Sequence, residues 1–253
     1  MTRAAAWAAR AAAAMVAVTT VSAALTGCGA SPAKLGPTGI DELTIPTPSP
    51  DPADFSGNAT NAWFPLEAGT RWTYQQETPT GERRVLAEVL PDQKDILGVG
   101  TTPVRWQVRS KGSWRTAMVR WYAVDRDGNV WWFGQQVAPH GPPLDPLATT
   151  SFQAGRHGAE AGLILSSVPR EGDGYLNGHE PRVVDRRSTV LSLTGNVATP
   201  SETFHDTVVT RDLSSLDPLH TVQSFFARDF GMVAQEDTGS SSSSLALVRL
   251  RRP

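Results

Sequence analysis

The stretch WYAVDRDGNVWWFG, residues 121–134, decides the fold. It contains two apolar, aromatic-rich runs separated by Arg126, Asp127 and Gly128. Asp-Gly between two apolar runs is a strong hairpin signal, because glycine readily adopts the positive φ that tight turns require. The sequence therefore predicts two adjacent antiparallel strands joined by a structural turn. On this interpretation, replacing Asp125 and Asp127 by asparagine costs little stability.

The aromatic residues of this hairpin occupy both faces of its strands. Successive strand residues point to opposite faces, so Trp131 and Phe133 share one face and Trp132 takes the other. A solvated face does not need large aromatic side chains. Either another segment, most simply residues 138–180, covers the second face, or the aromatics line a groove. The candidates to face a ligand are Trp121, Tyr122, Trp131, Trp132 and Phe133.

Strand-like patterns recur along most of the chain after residue 59. Apolar and polar residues alternate, or β-branched and aromatic residues cluster, in ten segments. These are Arg71–Gln75, Val85–Leu90, Val104–Val108, Thr116–Asp125, Asn129–Val137, Val183–Leu193, Thr203–Leu213, Thr221–Arg228, Gly231–Glu236 and Leu245–Arg251. Proline and glycine recur too often for long helices. We therefore expect an all-β, mainly antiparallel fold, a strongly curved sheet or open barrel of about ten strands.

The N-terminus has the order of a secretory signal. Arg3 and Arg10 precede an alanine-rich apolar run that ends at Leu25. The run is shorter than the ~20 residues of an ordinary membrane-spanning helix. Thr26 and Gly27 are small residues that suit a peptidase groove, and they lead directly to Cys28.

The tetrapeptide Leu25-Thr26-Gly27-Cys28 resembles the bacterial lipoprotein signal. In that signal the cysteine thiol receives a diacylglyceryl group, and the lipidated cysteine, which carries fatty acyl chains such as palmitate, becomes the mature N-terminus. The resemblance implies an anchor in the cell membrane, on its extracytoplasmic face. Cys28 is the chain's one cysteine, so no disulfide can form within the chain.

The sequence divides into three parts. Residues 1–27 are predicted to be a lipoprotein signal peptide. Residues 28–58 comprise the lipidated cysteine and a flexible, proline-rich tether, since this stretch has many prolines and little apolar content. Residues 59–253 are predicted to form one antiparallel β domain.

Three stretches resemble a family of secreted or lipid-anchored bacterial proteins without an established function. The first is NAWFPLEAGTRWTY, residues 61–74, and the second is the hairpin stretch 121–134. The third runs through FQAG at 152–155 and AEAGL at 159–163 to PREGD at 169–173. The resemblance implies an extracytoplasmic, antiparallel β domain, and it supplies no catalytic residue.

Charge and spacing exclude several classes of partner. The formal net charge is −2 and no block of Lys and Arg stands out, which argues against nucleic acid. Residues 125–129 look like the start of a calcium-binding loop, but Gln136 stands where that loop needs a bidentate glutamate. The five histidines never fall at a metal-binding spacing such as H-x-x-x-H. We therefore expect neither a metal nor a cofactor.

Catalytic motifs are equally sparse. No Gly-x-Ser-x-Gly nucleophile elbow occurs. Asp212 with Asp217, or Glu171 with Asp173, could serve as paired carboxylates in glycoside hydrolysis, although solvated turns explain them more simply. We therefore expect a protein that is not an enzyme.

The functional interpretation is a lipid-anchored envelope protein that binds an apolar or amphipathic small molecule in its curved β domain. Its partners would be the membrane, through the N-terminal lipid, and that molecule or an envelope protein. Two alternatives stay open. One is a structural or protein-interaction lipoprotein with no small ligand, and the other is an envelope hydrolase.

Overall fold

The structure, a computed structural model, describes residues 50–55, 57–238 and 243–253. The predicted signal peptide, the lipidation site Cys28 and the tether as far as residue 49 lie outside the described residues. Within the described ranges, no helix has the length and hydropathy needed to cross a bilayer.

Strands dominate the regular structure of the described residues, with one short 3-10 turn at Pro52–Phe55. The strands are β1 (Arg71–Thr78), β2 (Gly81–Val89), β3 (Lys94–Ile96), β4 (Val99–Ser110), β5 (Ser113–Val124), β6 (Val130–Val137), β7 (Phe152–Gln153), β8 (Glu160–Leu165), β9 (Gly174–Glu180), β10 (Val184–Ala198), β11 (Thr203–Ser214), β12 (Thr221–Ala227), β13 (Gly231–Asp237) and β14 (Ser244–Arg251). The all-β prediction is confirmed. Ten strands overlap the ten predicted segments, and β3, β7, β8 and β9 are additional.

Twelve of these strands form one closed antiparallel ring, in the order β2-β1-β14-β13-β12-β11-β10-β9-β8-β6-β5-β4. The ring closes where β2 pairs with β4, from Val85 opposite Val108 to Val89 opposite Val104. Strand β3 pairs with β4, and β7 pairs with β6, outside the path of the ring. The predicted strongly curved sheet is confirmed, and the β2–β4 pairing makes it a closed barrel.

The hairpin of β5 and β6 has the two-faced arrangement that its sequence predicts. Tyr122 lies opposite Trp132, and Ala123 lies opposite Trp131, so each pair shares a face of the sheet. The turn between the strands places Gly128 at a φ of 82°. Tyr122 and Trp132 therefore point into the barrel, and Trp131 points out of it.

A second buried cluster covers the outer face of this hairpin. Phe55, from the 3-10 turn, packs edge-on against Trp131 and Phe133, with ring centroids 6.1 and 5.4 Å away. Ile96 of β3 and Ala154, which follows β7, belong to the same cluster. The outer face is thus covered by the 3-10 turn, by β3 and by the residues at β7. Of these three elements, only β7 lies within residues 138–180. Phe55, which the sequence assigned to the tether, packs on the barrel.

Two segments fold over opposite ends of the barrel. Asn61, before β1, donates from Nδ2 to the carbonyl of Gly128 at 2.8 Å, next to the start of β6. Residues 138–151 follow the end of β6 and turn back toward the barrel. Gln135 of β6 holds them there by donating from Nε2 to the carbonyls of Ala148 and Thr150. Chain that belongs to no strand of the ring therefore lies at both ends of the barrel and contributes to the lining of its interior.

Candidate functional site

A cavity of about 80 Å³ lies inside the barrel, and all twelve strands of the ring line it. The two end segments also contribute, through Phe64 and Leu66 at one end and Leu144 and Asp145 at the other. The strand residues that line it include Trp72, Tyr74, Ala87, Trp106, Arg120, Tyr122, Trp132, Arg186, Ser188, Asp212 and Met232. The cavity is therefore the common interior of the fold rather than a groove between neighbouring strands.

One wall of the cavity is aromatic and is held in position by main-chain acceptors. Tyr74 and Trp106 stack with ring centroids 5.9 Å apart. The Tyr74 hydroxyl donates to the carbonyl of Met232 at 2.9 Å, and Trp72 donates from Nε1 to the carbonyl of Phe230 at 2.6 Å. Burial raises the pKa of Tyr74 far above its usual range, with a smaller contribution from nearby Tyr122. The wall is thus apolar in character, with neutral hydroxyls.

Another part of the cavity wall carries four charged side chains in one ion-pair network. Asp145, Arg186 and Asp212 are buried, and the Arg120 side chain is 11% exposed. Arg186 donates from Nη1 to Oδ2 of Asp145 and from Nη2 to Oδ2 of Asp212, each at 2.5 Å. Arg120 donates to the same oxygen of Asp145. The Ser188 hydroxyl donates to Asp212. Two guanidiniums and two carboxylates make the formal charge of this wall zero.

The network holds its members in their charged forms. Burial alone would raise the pKa of Asp145, but attraction to Arg186 and Arg120, with hydrogen bonds from Arg120 and the Leu147 amide, holds it well below its usual range. Burial likewise lowers the pKa of Arg186, yet Asp145 and Asp212 outweigh that effect and raise it. Buried charges are tolerated only when they are paired in this way.

Three N–H donors among the residues that line the cavity have no hydrogen-bond partner in the described chain. They are Nε of Arg186, Nε1 of Trp132 and Nε1 of Trp106. Arg186 and Trp132 are buried, with 5% and 1% of their surface exposed. Since buried donors are nearly always satisfied, an acceptor inside this cavity accounts for them best.

The structure divides the five sequence-predicted aromatics between two environments. Tyr122 and Trp132 line the cavity, and Trp132 packs edge-on against Phe152 at 4.6 Å. Trp121, Trp131 and Phe133 belong instead to the buried outer cluster, where the Lys94 ammonium lies 3.5 Å above the Trp121 ring. The last three cannot face a ligand in the barrel, because strand alternation puts them on the other side of the sheet.

The charged residues of the cavity are not among the site residues predicted from the sequence. Arg120 shares its strand face with Met118 and Tyr122, and a charge at such a position is a readable sign of a buried polar site. Asp212, which the sequence offers as a possible catalytic partner of Asp217, accepts instead from Arg186 and Ser188. Asp217 instead accepts from Nδ1 of His220 at 2.7 Å, in the connection between β11 and β12.

The His220–Asp217 pair forms no nucleophilic triad in the described part of the chain. Nε2 of His220 is buried and has no partner there, so no hydroxyl contacts this His–Asp pair. Asp173 accepts from the Tyr175 hydroxyl at 3.0 Å, and Glu171 accepts from the amide of Leu193. No group of three or more His, Cys, Asp or Glu side chains suited to a metal ion occurs in the same ranges.

A wider and more open cleft, of about 700 Å³, lies beside residues 57–61. Its polar side chains are mainly neutral, among them Asn58, Gln93 and Thr102. It has neither the paired charges nor the unpaired buried donors of the interior. The barrel cavity is therefore the better candidate for a specific site.

No family model matches this chain, and no curated protein matches it. Its fold is similar to that of a Bacteroides fragilis protein whose name describes it as exported, with a YmcC-like fold, at 13% identity and a TM-score of 0.42. That similarity covers 76% of this chain and 100% of the other. A Parabacteroides distasonis protein named as a lipoprotein is similar at 11% identity and a TM-score of 0.40, over 77% of this chain and 100% of its own.

Proposed function

We propose that this protein is a lipid-anchored envelope protein that binds an amphipathic small molecule inside its barrel. The anchor rests on Cys28 and the residues before it in the sequence. The binding function rests on the cavity, whose lining combines aromatic side chains, paired charges and unpaired N–H donors. An amphipathic molecule matches this lining, because its apolar part replaces water beside the aromatic side chains while its polar part supplies acceptors to the donors.

Ligand entry requires movement of the end segments. The cavity of about 80 Å³ is smaller than the ~300–1,000 Å³ of common ligand pockets. The ring itself is held by continuous strand pairing, whereas residues 138–151 contain no strand. The cavity at its present volume accommodates a polar group, and a larger ligand enters when an end segment withdraws.

The proposal is tested by native mass spectrometry of the full chain purified from its own membrane, with extraction and identification of bound lipid. Ala87→Leu fills the cavity, and Ala161→Leu overpacks the outer cluster to the same extent, since both alanines are 1% exposed. We expect an adduct on the wild type and on Ala161→Leu that Ala87→Leu loses. No adduct on the wild type, or equal retention by both variants, would contradict binding in the barrel.

A second function is favoured by three exposed leucines. Leu213, Leu216 and Leu219, at the end of β11 and in the connection to β12, are 41%, 49% and 81% exposed. Exposed apolar groups that are close in sequence often mark a protein contact. If the protein acts through this contact, Leu219→Asp reduces cross-linking to an envelope protein, whereas Leu97→Asp, at another exposed leucine, leaves it unchanged.

A further inference from the structure

Asp145 differs from the other charged residues of the cavity because it does not belong to the ring. Arg120 comes from β5, Arg186 from β10 and Asp212 from β11. Asp145 comes from the segment 138–151, and it reaches both guanidiniums with the same carboxylate oxygen. The Leu147 amide donates to its other oxygen at 2.9 Å.

The ring without Asp145 would be an anion site. Arg120 and Arg186 would then face Asp212 alone, which leaves one positive charge in excess inside an apolar barrel. Nε of Arg186 and Nε1 of Trp132 are donors without partners at the same site. Guanidiniums with free donors bind carboxylate and phosphate oxygens strongly when water is excluded. Asp145 thus occupies the position of an anionic ligand.

The segment that carries Asp145 is attached more loosely than a strand. Its buried residues are Asp145, Leu147 and Ala148, and most of the others are exposed or half-buried. Its hydrogen bonds to the ring include those from Gln135 and one from Arg83 to the carbonyl of Pro143. Segments with few buried contacts open at lower free energy than paired strands.

We propose that the ligand is an amphipathic anion whose carboxylate or phosphate replaces Asp145 on Arg120 and Arg186. The head group lies between the two guanidiniums, and the apolar tail extends toward Trp72, Tyr74 and Trp106. Asp145 and its segment act as an internal stopper that the ligand displaces. This inference rests on the proposed function and specifies its ligand class.

The test measures binding of three probes with a fourteen-carbon chain to the full chain by native mass spectrometry from a non-ionic detergent. The probes are myristate, tetradecyl phosphate and the uncharged 1-tetradecanol. We expect the two anions to bind the wild type more tightly than the alcohol, and the comparison between them identifies the preferred head group. Asp145→Asn should tighten anion binding at least about tenfold and leave alcohol binding unchanged, because it frees both guanidiniums.

Glu88→Gln is the matched control. Glu88 also bridges two arginines, Arg71 and Arg105, but their side chains are 52% and 37% exposed and do not line the cavity. This variant should bind all three probes as the wild type does. If Asp145→Asn fails to fold, Arg120→Met continues the test, and it should abolish the preference for the anions over the alcohol.

Displacement of the stopper has its own measurement. Hydrogen exchange in residues 138–151 should rise when myristate binds and rise less with 1-tetradecanol, which has no anionic group to replace Asp145. Equal binding of all probes by the wild type and both variants would overturn this inference and leave the proposed function standing. Binding of none of the probes to any form would overturn the proposed function and this inference with it.

Discussion

The indole N–H of Trp131 donates a 2.8 Å hydrogen bond to Oδ2 of Asp125, six residues earlier across the β5–β6 turn. The same oxygen accepts from Nδ2 of Asn129, and Oδ1 accepts from the amides of Asp127 and Asn129. Asp125 is 7% exposed. Both oxygens of the Asp125 carboxylate therefore accept hydrogen bonds from the hairpin itself. The carboxylate stabilises the turn and is not exposed as a calcium ligand would be.

Asp125→Ala should lower the free energy of unfolding by about 2–3 kcal/mol, because it leaves buried donors without an acceptor. The sequence led to the expectation that asparagine at positions 125 and 127 costs little stability, and the hydrogen bonds of Asp125 revise that expectation for position 125. Asp127 is exposed, so Asp127→Ala should stay within about 0.5 kcal/mol of the wild type. Urea unfolding followed by tryptophan fluorescence measures both. Equal losses would show that the hydrogen bonds of Asp125 do not stabilise the fold.

Gly128→Val should destabilise the same turn through the backbone. Gly128 has a φ of 82°, and a Cβ there would lie 3.1 Å from both Ser167 Cβ and the Thr60 carbonyl oxygen. The strain of a β-branched residue at such a φ amounts to about 1–3 kcal/mol, and the contacts add to it. Gly174→Val is the control, since its Cβ would meet nothing within 4 Å and its φ is ordinary. The prediction fails if thermal melts show the same shift for both variants.

Local sequence patterns predict most of the strands but not their closure into a ring. The alternation around Trp72 and Tyr74 is visible in five residues, and so is the hairpin at Gly128. Strand β9 has the sequence GYLNGHE. Its asparagine, second glycine and histidine interrupt the alternation of apolar and polar residues, so the strand is not recognisable from its sequence. The pairing of β2 with β4 skips the short strand β3, and no local pattern specifies such a contact.

Local sequence patterns also predict only the part of the candidate site that lies in recognisable strands. Trp132 and Tyr122 lie in strands, so their shared face follows from alternation. Arg120 lies in the same strand as Tyr122, and its partner Asp145 comes from a segment rich in proline without any periodicity. The charge network forms only in the tertiary structure. Of its members, Arg120 alone is indicated by the sequence, as a charge on the inward face of a predicted strand.

Cys28→Ser should abolish incorporation of labelled fatty acid and leave a precursor or a soluble secreted form. Two acyl chains give lasting membrane attachment, whereas one gives only marginal affinity. Metabolic labelling and membrane fractionation at high salt measure the two effects. Ser31→Ala, three residues later, is the control and should be lipidated normally. Unchanged membrane partitioning of Cys28→Ser would exclude a lipid anchor at this residue.

Asp145 should make the fold sensitive to acid. Its pKa in the folded protein lies below the value of 3.8 for a free carboxyl, because attraction to Arg186 and Arg120 outweighs the effect of burial. A carboxyl with a depressed pKa stabilises the fold above its unfolded pKa, and the stabilisation is lost as the pH falls through the folded pKa. For a strongly paired carboxylate it is on the order of 2 kcal/mol.

Asp145→Asn should therefore unfold with a shallower dependence on pH below about pH 4 than the wild type. Glu88→Gln should change this slope less, because the arginines that pair with Glu88 are exposed and solvent screens their attraction to its carboxylate. Urea titrations at a series of pH values from 5 to 2 measure the slopes. A slope of Asp145→Asn equal to that of the wild type would mean that the ion pairs of Asp145 do not stabilise the fold.

Trp132→Ala tests whether the inner aromatic of the hairpin is part of the core. Trp132 is 1% exposed, packs edge-on against Phe152, and has the Arg120 guanidinium 5.1 Å from its ring centre. Removing so buried an aromatic side chain should cost about 3–5 kcal/mol of unfolding free energy. Trp114→Ala, in the adjacent strand with 39% exposure, should cost less than about 1 kcal/mol. Guanidinium unfolding of both variants makes the comparison. A small loss for Trp132→Ala would mean that this ring faces an interior already open to solvent or ligand, and that the indole contributes to binding rather than to the core.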